Sequence, residues 1–164
     1  MNLKPKIEIE LHPVLEAYLR WIYKTPSEVK GISITRHHDV GKHIASHVLR
    51  CNMPVKNQKT EGLTTIFLPM TEGNEGIYQN YFFYVDEWGK EKINDFIYTD
   101  FSMWMKRRFE TGYIYRWRQE DIIDAVIMGL HIEDTKENIS FLRRFDYRNN
   151  RKTTEKRFNI LVNN

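Results

Sequence analysis

Cysteine occurs once, at Cys51, so no internal disulfide can form and a disulfide-stapled secreted scaffold is excluded. No uncharged run approaches the ~18 apolar residues of a spanning helix; the longest, 76–85, is short and mostly aromatic or polar. No early stretch pairs a basic start with an apolar run and a small-residue cleavage site, and the cytoplasm is the expected compartment. Five prolines and eight glycines are too few and too scattered to form a linker between independent domains. Catalytic signatures are missing as well. There is no H-E-x-x-H, no Gly-x-Ser-x-Gly elbow, and no convergent acid, base and nucleophile set, so no enzymatic activity and no cofactor are expected.

What is present is core material and a charge asymmetry. Apolar residues make up 41% of the 164-residue chain and aromatic residues 13%, enough for folding without a metal staple. Net charge is +3, and the excess sits late: residues 1–100 hold 12 Lys/Arg against 13 Asp/Glu, residues 101–164 hold 13 against 9. Within 143–157 stand seven basic residues and two acids, so a polyanion would meet this end first.

Patterning along the chain predicts an α+β fold. Lys6 to Leu11 alternates apolar and charged residues, as a half-buried strand does. Pro13 suits the first helical position, and Val14, Leu15, Tyr18, Leu19 and Ile22 recur at helical spacing until Pro26. Ile32 to Thr35 reads as a second strand, with Asp39 as N-cap of a second helix whose inner stripe is Val40, Ile44, Ala45 and Val48. After a loop over 52–62, Leu63 to Leu68 reads as a third strand, and 71–76 as a turn. From Asp86 the period changes: a long helix is expected over 87–110. A second follows over 119–128 and stops at Gly129 in the left-handed cap conformation, and a third covers 138–150 with caps supplied by 135–138. The expectation is one domain over 1–164: a small sheet of about three strands with two helices in 1–84, a three-helix lobe in 85–152, and a tail at 153–164.

Three stretches carry a resemblance. They are Ile7-Glu-Ile-Glu-Leu-His-Pro-Val-Leu-Glu-Ala-Tyr-Leu19, Ile34-Thr-Arg-His-His-Asp-Val-Gly-Lys-His-Ile44, and Glu120-Asp-Ile-Ile-Asp-Ala-Val-Ile-Met-Gly-Leu-His-Ile132 followed by Asp134-Thr135 and a basic aromatic helix. In these the chain resembles an uncharacterised family of small proteins encoded by prophages and other mobile elements of gut anaerobes. The resemblance implies a mobile-element origin and brings no activity with it.

Four constellations could carry chemistry. Asp39, His43 and His47 fall at i, i+4 and i+8 and could face a zinc ion, but a fourth ligand and a cysteine pair are lacking, so solvated helix-face histidines are the expectation and no metal site is assigned. Asp39-Val-Gly-Lys-His is not a phosphate loop, since His43 follows the lysine where Ser or Thr is required. Cys51 reads as a small core residue at a helix end rather than a nucleophile.

The basic end is the fourth. Helices 119–128 and 138–150 would form a helix, turn and helix, with Arg144, Tyr147, Arg148 and Arg151 at i, i+3, i+4 and i+7 on one face. The expected function is nonenzymatic binding of nucleic acid, with DNA the expected form. Arg144, Arg148, Arg151 and Lys152 would neutralise phosphates, Tyr147 would stack or hydrogen-bond nearby, and Arg116 and Arg118, which precede the two helices, would add phosphate contacts. The rival expectation is a protein-interaction or assembly module without a nucleic-acid role, forming a homo-oligomer or binding a partner through the aromatic stretch 78–88 or the apolar tail 158–162.

Overall fold

A computed structural model of the chain describes residues 4–56, 61–70 and 73–149. The fold is mixed α+β, as the patterning predicts, and residue proximity divides it into two compact units, 1–100 and 101–164.

In the first unit, β1 (Lys6–Glu10) pairs antiparallel with β4 (Leu63–Phe67), and β2 (Ile32–Ser33) pairs parallel with the other edge of β4. The register puts Ile7 and Ile32 on either side of Ile66, and all three are buried. This rung comes from the period-two alternation that exposes Lys6 and Glu10. A second ribbon escaped the sequence: β3 (Leu49–Cys51) pairs antiparallel with β5 (Phe82–Tyr84). Short strands of three residues leave too little alternation to recognise, and 49–51 continues the helical pattern that precedes it. Cys51 is therefore on a strand, half-buried, with its thiol donating to the Met53 carbonyl.

Helix α1 (Pro13–Ile22) starts with proline at N1 and a His12 cap whose Nδ1 accepts from the Val14 amide at 3.2 Å. It buries Val14, Leu15, Tyr18 and Leu19. Helix α2 (Asp39–Ser46) is capped by His38 rather than Asp39, again through Nδ1 to the amide two residues on. Val40 and Ile44 of the expected stripe are buried, while Val48 lies beyond the helix end. The start of α2 passes so near the backbone carbonyl of Thr35 and the Tyr23 hydroxyl that Gly41 has no space for a Cβ. A short helix, α3 (Glu75–Asn80), overlaps the last two residues of the expected turn and continues beyond it.

Helix α4 (Glu87–Ile114) begins under Asp86, whose carboxylate accepts from the Gly89 amide, and runs four residues past its expected end. Ile93, Ile97, Phe101, Met105 and Phe109 recur every fourth residue along it and are fully buried. The boundary between the units falls inside this helix, after Asp100. In the second unit Phe101, Met105 and Phe109 share the core class with Ile122, Ile123, Val126, Ile127 and Leu130 of α5 (Gln119–Leu130) and Phe141 and Leu142 of α6 (Lys136–Arg143). Thr135 caps α6, its hydroxyl accepting from the Asn138 amide.

Helices α1, α4 and α5 end alike. A residue with positive φ follows each, and it is Lys24, Arg116 or His131, never glycine. The next amide bonds back five residues: Thr25 to Arg20, Trp117 to Gly112, Ile132 to Ile127. This is the Schellman closure, with a basic side chain where glycine is usual; the strain of ~1 kcal/mol is partly offset by the negative end of the helix dipole. The left-handed cap expected at Gly129 thus sits two residues later, at His131, and Gly129 is helical.

Candidate nucleic-acid interface

The expected helix over 138–150 does not run through. It stops at Arg143, Arg144 takes the C-cap, and the chain turns at Phe145 and Asp146 before a further helical turn at 147–149. The cause is Asp146, whose side chain is drawn into the interior at 1% exposure. One carboxylate oxygen, Oδ2, accepts from the Tyr113 hydroxyl at 2.5 Å and from Gln119 Nε2 at 2.8 Å; the other, Oδ1, accepts from the Arg148 amide at 3.0 Å. A buried carboxylate is tolerable only with such partners. The periodicity of Phe141, Leu142 and Phe145 hid this break, because one polar residue on an apolar face carries no periodic signal.

The corrected backbone regroups the expected phosphate contacts. Arg144 and Arg148 are exposed but do not share one helix face. Arg148 lies with its guanidinium carbon 3.3 Å over the Tyr113 ring and its Nε 3.8 Å from Asp146 Oδ1, its side chain 47% exposed. Arg144 leans over Phe141 at 5.8 Å and has no ion-pair partner among the described residues. Tyr147 is half-buried, its ring edge-on to Tyr113 at 6.1 Å. Arg151 and Lys152 lie outside the described residues, as do Lys156, Arg157 and the tail.

Asp146 also pulls on Tyr113. Its phenol is pushed from an ordinary value of 10.0 up to about 12, first by burial and then by the hydrogen bond and charge of Asp146, with Arg148 opposing.

Arg116 and Arg118 occupy the turn between α4 and α5. Both are exposed; Arg118 precedes α5 and shares Asp121 through its backbone amide and its Nε, each at 3.3 Å, whereas Arg116 has no ion-pair partner among the described residues. Sequence reasoning missed their neighbours. Ile114, Tyr115 and Trp117 are 77%, 72% and 51% exposed. The available signal was the cluster of large apolar and basic residues over 114–118, placed between the apolar stripes of two helical segments.

The other constellations resolve into packing. Asp39 pairs with Lys42 at 3.8 Å on the surface. His43 stacks on Phe96 at 4.2 Å with Nε2 3.2 Å from the Lys92 carbonyl, and His47 meets His43 and Trp88 edge-on. The His47 imidazole is held below its usual value by burial and by the neighbouring His43. Among the described residues no helix is long and apolar enough to cross a membrane.

Comparison with protein-family models, with curated proteins and with solved structures gives no match to this chain.

Proposed function

We propose that the chain is a nonenzymatic nucleic-acid-binding accessory protein of a mobile element, acting on DNA through phosphate contacts from its second unit. The observation that carries the reading is the Arg148 side chain, stacked on Tyr113 and tethered to Asp146 while half of it faces solvent. An arginine oriented in this way loses less freedom on meeting a phosphate than one that is unconstrained. Arg144 supplies an exposed cation in the same segment, and Arg143, Arg116 and Arg118 add others in the same unit. Arg151 and Lys152 extend the basic run in sequence. Part of the Arg148 charge is already met by Asp146, so Arg144 is the larger contributor to long-range attraction.

The test is fluorescence anisotropy with duplex DNA at several salt concentrations, for the parent chain and for Arg144→Ala, Arg148→Ala and Arg151→Ala. Each lost phosphate contact should weaken binding to unrelated sequences alike and reduce the salt slope by about one unit. A parent chain that binds neither duplex nor single-stranded probes at low salt would overturn the reading. A second reading, a protein-interaction or assembly module, is favoured by the exposed apolar side chains of Met53, Val55, Met70 and Phe82 in the first unit. Concentration-dependent sedimentation with no nucleic-acid binding would place it first.

A further inference from the structure

We infer that the corner between α4 and α5 is a stacking platform for unpaired nucleobases, so that the second unit takes single-stranded nucleic acid at this point; the inference rests on the nucleic-acid reading above. Five consecutive residues, 114–118, are exposed, three of them large apolar or aromatic and two cationic: Ile114, Tyr115, Arg116, Trp117, Arg118.

The backbone explains why the rings stay open. In a Schellman closure the residue after the left-handed one normally folds back onto a side chain at the third position from the helix end. Here that residue is Trp117 and the third position is Gly112, which offers no side chain. A Cβ at Gly112 would meet the tip of the Ile122 side chain, which would have to move to admit it. Close packing of Ile122 favours a glycine there, and the glycine offers no side chain at that position to cover the indole, which is half exposed.

The corner is also held in place. Tyr113 on one side and Gln119 on the other both donate to Asp146 Oδ2, so 114–118 is strung between two points fixed to one buried carboxylate. Arg148, stacked on Tyr113, borders the same anchor. Exposed aromatic side chains and exposed cations thus occur together in this unit. Arg116 stands between the two rings with no acidic partner among the described residues, and charge complementarity favours an anionic polymer whose units also carry a flat π-face. Single-stranded nucleic acid meets both conditions, while a duplex keeps its base faces stacked inside.

The experiment uses the full chain with a short fluorescent oligothymidine strand and a duplex of the same length. Tyr115→Ala and Trp117→Ala should each weaken oligothymidine binding by about five- to a hundredfold, the affinity equivalent of one stacked base, with a smaller effect on the duplex. Trp117→Phe should keep most of the affinity yet lose much of the tryptophan quenching that accompanies binding. Circular dichroism should be unchanged, since these side chains face water. If the parent binds both probes and the two alanine variants bind oligothymidine as the parent does, the corner plays no part and the nucleic-acid reading stands without it. If the parent binds neither probe, that reading fails and takes this inference with it. If Trp117→Ala instead dissociates an oligomer and leaves strand affinity unaltered, the corner is a protein contact and the inference is overturned.

Discussion

The guanidinium of Arg148 lies 3.3 Å over the ring of Tyr113, and the hydroxyl of that same ring donates to Asp146, the residue to which Arg148 is ion-paired. Cation, ring and carboxylate close a small circuit, so a change to any one member is felt by the other two.

Removing the carboxylate should be the costliest change. Asp146→Ala leaves the Tyr113 hydroxyl and the Gln119 amide without their acceptor and frees the Arg148 amide, each a loss of about 1–3 kcal/mol when buried. We expect about 2–4 kcal/mol of destabilisation in urea unfolding, with Asp146→Asn milder because it keeps an acceptor oxygen. A midpoint unchanged by Asp146→Ala would show that the buried carboxylate does not hold this turn.

Alkaline titration should report the same circuit. The Tyr113 phenol is raised to about 12 in the folded chain, so the folded state holds its proton more tightly than the unfolded state. Its contribution to stability is complete below pH ~10 and is lost as pH rises towards ~12. Tyr23 is likewise raised to about 12, chiefly by burial, and adds to the same loss. Melting temperature followed from pH 9 to 12 should therefore fall, and Tyr113→Phe should fall less steeply than the parent.

Two glycines should respond with opposite sign. At Gly41 a methyl group would collide with the Thr35 carbonyl, a backbone atom that cannot swing aside. The helix-propensity gain of ~1 kcal/mol is outweighed by an overpacking cost of ~1–3 kcal/mol, so Gly41→Ala destabilises. At Gly129 a Cβ would meet nothing within 4 Å, and the residue is helical. Gly129→Ala should stabilise by about 0.5–1 kcal/mol. Destabilisation there would return the left-handed cap to Gly129.

Elemental analysis of purified protein should find no stoichiometric zinc. Asp39 is turned to Lys42, His43 is stacked on Phe96 and His47 packs edge-on to Trp88, so each of the three candidate ligands has another contact. One zinc per chain would require those contacts to break.

Long periodic segments were legible in the sequence. The spacing of Ile93, Ile97, Phe101, Met105 and Phe109 located α4, and the alternation of Lys6 to Glu10 located β1, because each pattern repeats enough to exclude the other period. Features set by a single residue were not. His12 and His38 cap through a ring nitrogen, which no list of favoured capping residues suggests. Asp146 ends a helix that its neighbours would continue, and its partners Tyr113 and Gln119 are far away in sequence. The basic composition around 143–157 was evident; which of those cations share a face was not, since that depended on the break at Asp146.

Strand β4 is the last of its sheet to be made. Among the described residues its two neighbours, β1 and β2, pair with no other strand, and Ile7 must wait for Ile66, about sixty residues later, before its rung can close. A chain emerging from the ribosome therefore carries β1 unpaired through the synthesis of α1, β2, α2 and β3, and β2 unpaired through that of α2 and β3. The charges of Lys6, Glu8 and Glu10 discourage pairing with a stranger during that interval. The sheet closes from its centre, and only once the central strand has been delivered.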